Sequence, residues 1–288
     1  MSALVFFLVR LTGDPVEYLI SDQATQADYD RIYKAYGFDR PFYVQYVLFL
    51  KNMVTGDLGD SLYLHRPVAS ILRTRFPATL QLAVAAILIS LVVGLPLGVY
   101  AAVGRGTGLD VSARFLAVLG QSMPPFWLGL MLILVFSVWF RLLPSGGKGG
   151  IANLILPAIT LSSWLLAGIT RLTRSSMLDV LGTEYVKLAR IKGASEPKVI
   201  WKHAFKNALL PVVTFSAVMS VILVAGAVIT ETVFAWPGLG QLVIQSVIRR
   251  DFPVTQAVVL LMAVLYIIAN LLVDIAYAFL NPKIRYSR

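Results

Sequence analysis

Residues 80–102 read LQLAVAAILISLVVGLPLGVYAA, a run without one charged side chain. About 20 apolar residues wound as a helix cross a hydrocarbon core of roughly 30 Å. No water reaches that core, so the backbone must satisfy its own hydrogen bonds and the run is read as a helix. Four more runs of this kind follow: Phe115–Phe140, Ile151–Ile169, Ala208–Ile229 and Val254–Leu280. The whole chain agrees. Of its 288 residues 58% are hydrophobic and 14% charged, and its mean hydropathy is +0.77. A soluble domain carries about 25% charged residues, and a water-soluble fold of this size has no core large enough to hide so much apolar surface. The fold class is all-α integral membrane.

The segments between the runs set the topology. Ala3–Leu11 (ALVFFLVRL) is apolar but short, and it contains Arg10. No basic stretch precedes it and no small-residue cleavage site follows, so it does not read as a signal peptide. It is expected to be the outer half of a first helix that begins upstream of this chain; a re-entrant or surface segment is the alternative. With the C-terminus in the cytoplasm, the inside segments 104–114, 170–207 and 281–288 hold 13 Lys and Arg against 4 Asp and Glu. The outside segments 11–77, 141–150 and 230–253 hold 11 against 10. The positive-inside rule selects this arrangement. It gives about six transmembrane helices, the first truncated, with both termini cytoplasmic. Two regions are expected: 1–77, the truncated helix plus an extracytoplasmic segment, and 78–288, the transmembrane domain. In the outside segment Gly13-Asp14-Pro15 marks a turn, and Gln26–Tyr36 and Val44–Val54 show helical periodicity. This piece either caps a path, touches a soluble partner or packs over the helix ends. Leu142–Gly150 (LLPSGGKGG) reads as a short flexible hairpin loop and nothing more.

Several function classes fall away. The net charge of +10 lies beside apolar runs, so topology accounts for it; lipid is an expected partner and nucleic acid is not. The chain has no Cys, hence no disulfide or thiolate metal site. Its two His, His65 and His203, fall on opposite sides of the bilayer and make no zinc site together. No Ser–Lys, Ser–His, paired-Asp or His-Glu-x-x-His arrangement supports a membrane enzyme. An ion-coupled secondary transporter working without an ATPase is the alternative reading. It requires several buried ionisable groups and internal repeats. The sequence offers one carboxylate well inside an apolar run, Asp274, read as a structural ion pair. Arg171 and Arg174 are expected to flank their helix and snorkel.

The most informative inside segment is Arg171–Pro211, RLTRSSMLDVLGTEYVKLARIKGASEPKVIWKHAFKNALLP. Met177, Val180, Tyr185, Leu188, Ala189, Val199, Ile200, Ala204 and Leu209 can form one apolar face. Gly193 supplies a turn between two short helices, because glycine accepts backbone angles that other residues avoid. Ser195 is placed to cap the second helix, with Glu196 and Pro197 in its first turn. A helix–turn–helix elbow results.

Glu184-Tyr185-Val186, Ala189-Arg190, Lys192-Gly193-Ala194 and His203–Pro211 together resemble the cytoplasmic "EAA" loop of ABC importer permeases, here spanning about 175–207. The dipeptide/oligopeptide branch, which also holds nickel and glutathione importers, is the nearest form. Lys187-Leu188-Ala189 stands where Glu-Ala-Ala would be, Gly193 matches, and His203-Ala204-Phe205-Lys206 replaces Ile-x-Leu-Pro. These departures resemble one of the two permease subunits of that branch. Gly37–Pro41, Gly56-Asp57-Leu58-Gly59, Ser61, Arg66-Pro67-Val68, Ser122–Phe126, Glu231–Phe234, Trp236–Gly240, Asn281-Pro282 and Ile284–Tyr286 extend the resemblance along nearly the whole chain.

The resemblance implies the membrane subunit of a binding-protein-dependent importer in a bacterial inner membrane, working by alternating access. Its implied partners are two ATP-binding subunits, a second homologous permease and an extracytoplasmic solute-binding protein. ATP and Mg belong to the ATPase, since this chain has no Gly-x-x-x-x-Gly-Lys-[Ser/Thr] loop and binds no cofactor itself. The elbow would couple to the ATPase through its short helix at about Thr183–Ala194. Glu184, Tyr185, Ala189, Arg190, Gly193 and Ala194 are the candidate coupling residues, as contacts or as shape. Glu231, Phe234, Pro237 and Gly238 are candidate gate residues in a re-entrant element; an ordinary aromatic anchor is the other reading. Pro124 and Pro125 should kink their helix and free backbone groups for the path, unless the kink is only structural. The cargo class implied is di- or oligopeptides.

Overall fold

The computed structural model describes residues 2–11, 13, 16, 25–35 and 37–280. In chain order the helices are α1 (Ser2–Arg10), α2 (Gln26–Ala35), α3 (Phe42–Thr55), α4 (Val68–Val103), α5 (Gly108–Ser122) and α6 (Pro125–Leu132), which runs on as a π-helical stretch, Ile133–Trp139. Then come α7 (Ile151–Leu181), α8 (Glu184–Ile191), α9 (Glu196–Lys198), a second π-helical stretch (Val199–Ala204), α10 (Phe205–Val233), α11 (Leu239–Ile248) and α12 (Phe252–Leu280). Among the described residues there is no strand; one isolated bridge joins Asp60 and Pro67.

Four helical runs are long and apolar enough to cross a membrane, or five if the bent pair α5–α6 is one crossing. The expected sixth is not among the described residues: α1 has 9 residues, too few to span. Phe115–Phe140 was expected as one kinked helix. It is a break instead, with α5 and the α6 run meeting at 110°. The cause is local. A residue before proline is pushed out of the helical region, and both Met123 (ψ 127°) and Pro124 (ψ 136°) are extended.

The chain forms two compact units. The first comprises Met1–Thr79 and Pro237–Leu265. Val68, Ile71 and Leu72 of α4 pack there with Leu239 and Leu242 of α11 and with Val254, Ala257 and Val258 of α12. Phe6 of α1 sits edge-on to Tyr46 of α3, with Phe49 alongside. A buried carboxylate organises the loop before α4. Asp251 accepts hydrogen bonds from the Ser61 hydroxyl and from the Leu62 N–H at 3.2 Å and the Tyr63 N–H at 3.4 Å. The loop closes on itself through Ser61 N–H to Arg66 C=O and Val68 N–H to Gly59 C=O. Of Gly13-Asp14-Pro15, only Gly13 is described; its flank, like the closing 281–288, lies outside the described residues.

The second unit comprises Leu80–Trp236 and Tyr266–Arg288. Its centre is α7, which buries Leu156, Leu161, Leu165, Ile169 and Met177 among others. Small residues set its neighbours close. A Cβ on Gly98 of α4 would lie 2.5 Å from Thr173 Cβ and 2.7 Å from the Thr170 carbonyl. Gly94-Leu95-Pro96-Leu97-Gly98 is a Gly-x-x-x-Gly motif, the pattern that lets membrane helices approach when no water drives them together. On the other side a Cβ on Gly168 would meet the Phe215 ring of α10 at 2.6 Å. The side chain of Asp274 lies outside the described residues.

Candidate functional site

Beyond the apolar run, α7 continues to Leu181 and the chain turns into α8. The inner side of this elbow is locked into the second unit. Val186, Val199, Ala204 and Ala208 are buried with Val99, Ala102 and Met177, and Ala189 and Ala194 pack against the same cluster. The end of α8 explains why Gly193 is there. The Ala194 N–H donates to the Ala189 C=O at 3.2 Å and the Gly193 N–H to the Arg190 C=O at 2.9 Å. With Gly193 left-handed at φ 80°, this is a Schellman stop.

The outer side of α8 is different in kind. Tyr185 is 43% exposed, Leu188 49% and Ile191 81%. Glu184 and Lys187 pair at 2.8 Å beside them, and Arg190 pairs with Glu196 at 2.8 Å across the turn. The Arg190 guanidinium donates to the Glu196 carboxylate, and that hydrogen bond raises its pKa above the ordinary value. Tyr185 is steadied by Asn207, whose amide donates to its hydroxyl at 2.9 Å. Burying one Leu or Ile is worth about 1.5–3 kcal/mol, and the exposed ridge of Tyr185, Leu188 and Ile191 leaves that stabilisation unused in the chain by itself.

Of the expected coupling residues, Glu184, Tyr185 and Arg190 lie on or beside this ridge. Gly193 shapes its end, while Ala189 and Ala194 face the chain's own core. Leu188, expected on the apolar core face, and Ile191 supply the exposed surface. Their period was visible, but which of two apolar faces is buried is not a property of one helix. Two further expectations change. Ser195 takes the cap position without a side-chain cap bond. The second elbow helix is also not separate: α9 passes through the π-helical stretch directly into α10.

The second set of candidates splits between the units. In the second unit Phe234 and Glu231 are fully buried. Pro124 and Pro125 open α6, and Gly129 of that helix lies against the Phe234 ring, where a Cβ would come within 3.0 Å. Residues 142–150 are more than a flexible link. The Gly147 N–H donates to the Phe234 C=O at 2.8 Å, and a Cβ on Gly146 would lie 2.3 Å from that oxygen. The Asn153 amide holds the Gly146 C=O at 2.9 Å. The turn itself carries Ala235 at φ 47°, with the Trp236 N–H returning to the Glu231 C=O at 2.8 Å. Pro237 and Gly238 belong to the first unit. There Gly238 caps α11 with extended backbone, and the Leu239 N–H donates to the Thr79 hydroxyl at 2.8 Å.

Asp110 was not foreseen. It is 1% exposed and receives Arg174 Nε at 2.6 Å and Nη2 at 3.0 Å, plus the Gly106 N–H at 3.0 Å. Arg114 approaches it at 3.3 Å. Arg174 therefore does not snorkel; it makes a two-pronged ion pair between α5 and α7.

Residues 94–286 match the family described as the binding-protein-dependent transport system inner membrane component. The oligopeptide transport system permease of Bacillus subtilis (strain 168) is 40% identical over 99% of this chain and 94% of its own length. The dipeptide permease of Escherichia coli K12 is 40% identical over 98% and 93%. The glutathione permease of the same strain is 40% identical over 100% and 94%. Among solved structures, an inward-facing MetNI methionine ABC transporter covers 73% of this chain and 96% of its own, with a TM-score of 0.62 at 21% identity. An amino acid ABC transporter covers 73% and 94%, with a TM-score of 0.51 at 13% identity. At those identities the likeness speaks for the fold. Nothing in these relationships supports the ion-coupled alternative. Matched in sequence along nearly its whole length and in fold over most of it, the chain belongs to the inner membrane components of binding-protein-dependent transport systems, the permease subunits of ABC importers.

Proposed function

We propose that this permease carries di- or oligopeptides and is driven through the outer face of α8. In its family the ATPase is a separate subunit. The observation that carries the reading is the exposed Tyr185–Leu188–Ile191 ridge on a helix whose opposite side is fixed in the core. A helix held this way passes a push on its ridge to α7 and α10, to which it is packed. Nucleotide binding with Mg in the ATPase would then bias the permease between inward-open and outward-open states by differential contact energy. Glu184, Tyr185, Arg190 and Gly193 shape or flank the contact, with Ala189 and Ala194 as its inner packing. The full assembly in this reading has two ATP-binding subunits, a second homologous permease and a solute-binding protein on the outer side. The inner end of α12 lies on the cytoplasmic side in this reading.

Phe234, clamped by Gly129, Gly146 and Gly147, and Glu231 beside it form the candidate gate in the second unit. Pro237 and Gly238 start α11, an apolar helix too short to span. Pro124 and Pro125 leave a break where backbone groups can face a path. The 40% identity to peptide permeases over almost the full length supports the choice of cargo.

The test is co-purification from mild detergent of the ATPase with wild type, Ile191→Asp and Val186→Asp. Ile191→Asp should lose the ATPase while its thermal unfolding midpoint stays within about 2 °C of wild type, because an exposed substitution leaves the fold intact. Val186→Asp should unfold. ATPase retention by a folded Ile191→Asp/Leu188→Asp variant sinks this assignment of the contact.

A further inference from the structure

Where the apolar run of α7 ends, the second unit holds a cavity of about 150 Å³ between α5 and α7. Arg114 of α5 and Arg171 and Arg174 of α7 line it, and no Asp or Glu does. The neighbouring carboxylate, Asp110, has nothing left to offer. Its Oδ1 accepts from Arg174 Nε at 2.6 Å and lies 3.3 Å from Arg114 Nε. Its Oδ2 accepts from Arg174 Nη2 and from the Gly106 N–H, each at 3.0 Å. A carboxylate has about four acceptor sites, so all are taken. Arg171 makes no hydrogen bond or ion pair among the described residues, and both it and Arg114 are exposed. Positive charge is therefore left over at this spot.

Its depth says what can meet that charge. Arg171 follows directly on the apolar run Ile151–Ile169. Around Arg114, the apolar side chains Val111, Phe115, Leu116 and Val118 of α5 are more than half exposed. Arginines set beside such surface lie where hydrocarbon gives way to headgroups. Guanidinium binds phosphate through paired N–H donors, and basic pockets between membrane helices suit anionic headgroups.

We propose that this groove holds one anionic phospholipid. Its phosphate takes the unused donors of Arg114 and Arg171, Arg174 forms a wall fixed by Asp110, and an acyl chain runs over Ala117 and Val118. Phosphatidylcholine and phosphatidylethanolamine carry a phosphate too, but they bring an ammonium in among three arginines. A free phosphate ion leaves the apolar side uncovered. A carboxylate from another subunit would have to be carried in from water, whereas the bilayer supplies phosphates at this depth continuously. The seated lipid ties α5 to α7 beside the Asp110–Arg174 pair.

The measurement is native mass spectrometry of the assembled importer, released from nanodiscs of equal parts phosphatidylglycerol and phosphatidylcholine. Wild type should retain phosphatidylglycerol in preference. Arg114→Gln/Arg171→Gln should lower the fraction retaining it about fivefold or more. Arg171→Gln alone, which breaks no ion pair, should lower it about twofold or more. Lys202→Gln/Lys206→Gln removes the same charge from exposed positions outside the cavity and should keep the lipid. In detergent, phosphatidylglycerol should raise the wild-type thermal midpoint by about 3 °C or more and leave that of the double arginine variant unmoved. Retention by both arginine variants, equal loss in the lysine variant or equal retention of phosphatidylcholine overturns the proposal. Stabilisation by inorganic phosphate alone assigns the cavity to a free anion and overturns it too. So does phosphatidylglycerol retained by the lone permease but not by the assembled importer, which assigns the cavity to a partner subunit.

Discussion

A carboxylate that leaves water must find donors, and Asp110 and Asp251 do so in different ways. Asp251 takes a hydroxyl and two backbone N–H groups from one loop. Asp110 takes a guanidinium from another helix. Removing one member of such a buried pair strands the other, whereas removing both does not. Asp110→Asn is therefore expected to lower the thermal midpoint in detergent by about 5 °C or more. Asp110→Asn/Arg174→Met should lose less than the two single changes added together, and Arg114→Gln, at an exposed position, should lose little. Gly146 offers a second residue-scale check. Ala there has no room against the Phe234 carbonyl and must break the Gly147 hydrogen bond. A loss of about 2 kcal/mol or more is expected, with impaired transport. Gly108→Ala, which meets nothing within 4 Å, should be neutral or slightly stabilising.

At the scale of elements, stops and breaks matter as much as the helices. Two adjacent prolines turn one apolar run into two helices at 110°, since neither proline can donate and each constrains the residue before it. Gly193 ends α8 and so fixes where Ile191 points. Gly193→Ala at φ 80° should cost about 1 kcal/mol, and Gly193→Asn less, because Asn tolerates the left-handed region better. Calorimetry of the purified chain would rank them, and ATPase co-purification should fall in the same order. If the order of ATPase retention ignored that ranking, the geometry of the stop would not govern the docking face.

For the whole molecule, function depends on its orientation in the bilayer. The charge asymmetry of the sequence predicts α8 in the cytoplasm and the loop at 57–67 outside. The chain has no Cys, so single cysteines report cleanly. In intact cells, Ile191→Cys should resist a membrane-impermeant maleimide and Arg66→Cys should react; in inverted vesicles the result should reverse. Both positions are exposed in the chain by itself, so with the permease expressed without its ATPase, protection means sidedness and not burial. Labelling of Ile191→Cys from outside would invert the topology and remove α8 from reach of an ATPase.

Much of this protein is set by sequence alone. Apolar runs of membrane length force helices because a bilayer offers the backbone no other partner, and the Arg171–Pro211 pattern marked an elbow with its turn at Gly193. Gln26–Tyr36 and Val44–Val54 were legible as helices for the same reason, a local period. The tertiary structure decided what no local pattern holds. Asp110 meets Arg174 far along the chain, Gly146 lies against Phe234, and Gly98 meets Thr173; each is a contact between elements whose mutual placement follows from packing. The same holds for α8. Its sequence offers two apolar faces, and only the cluster around Met177 and Val199 consumes one of them and leaves Tyr185, Leu188 and Ile191 exposed.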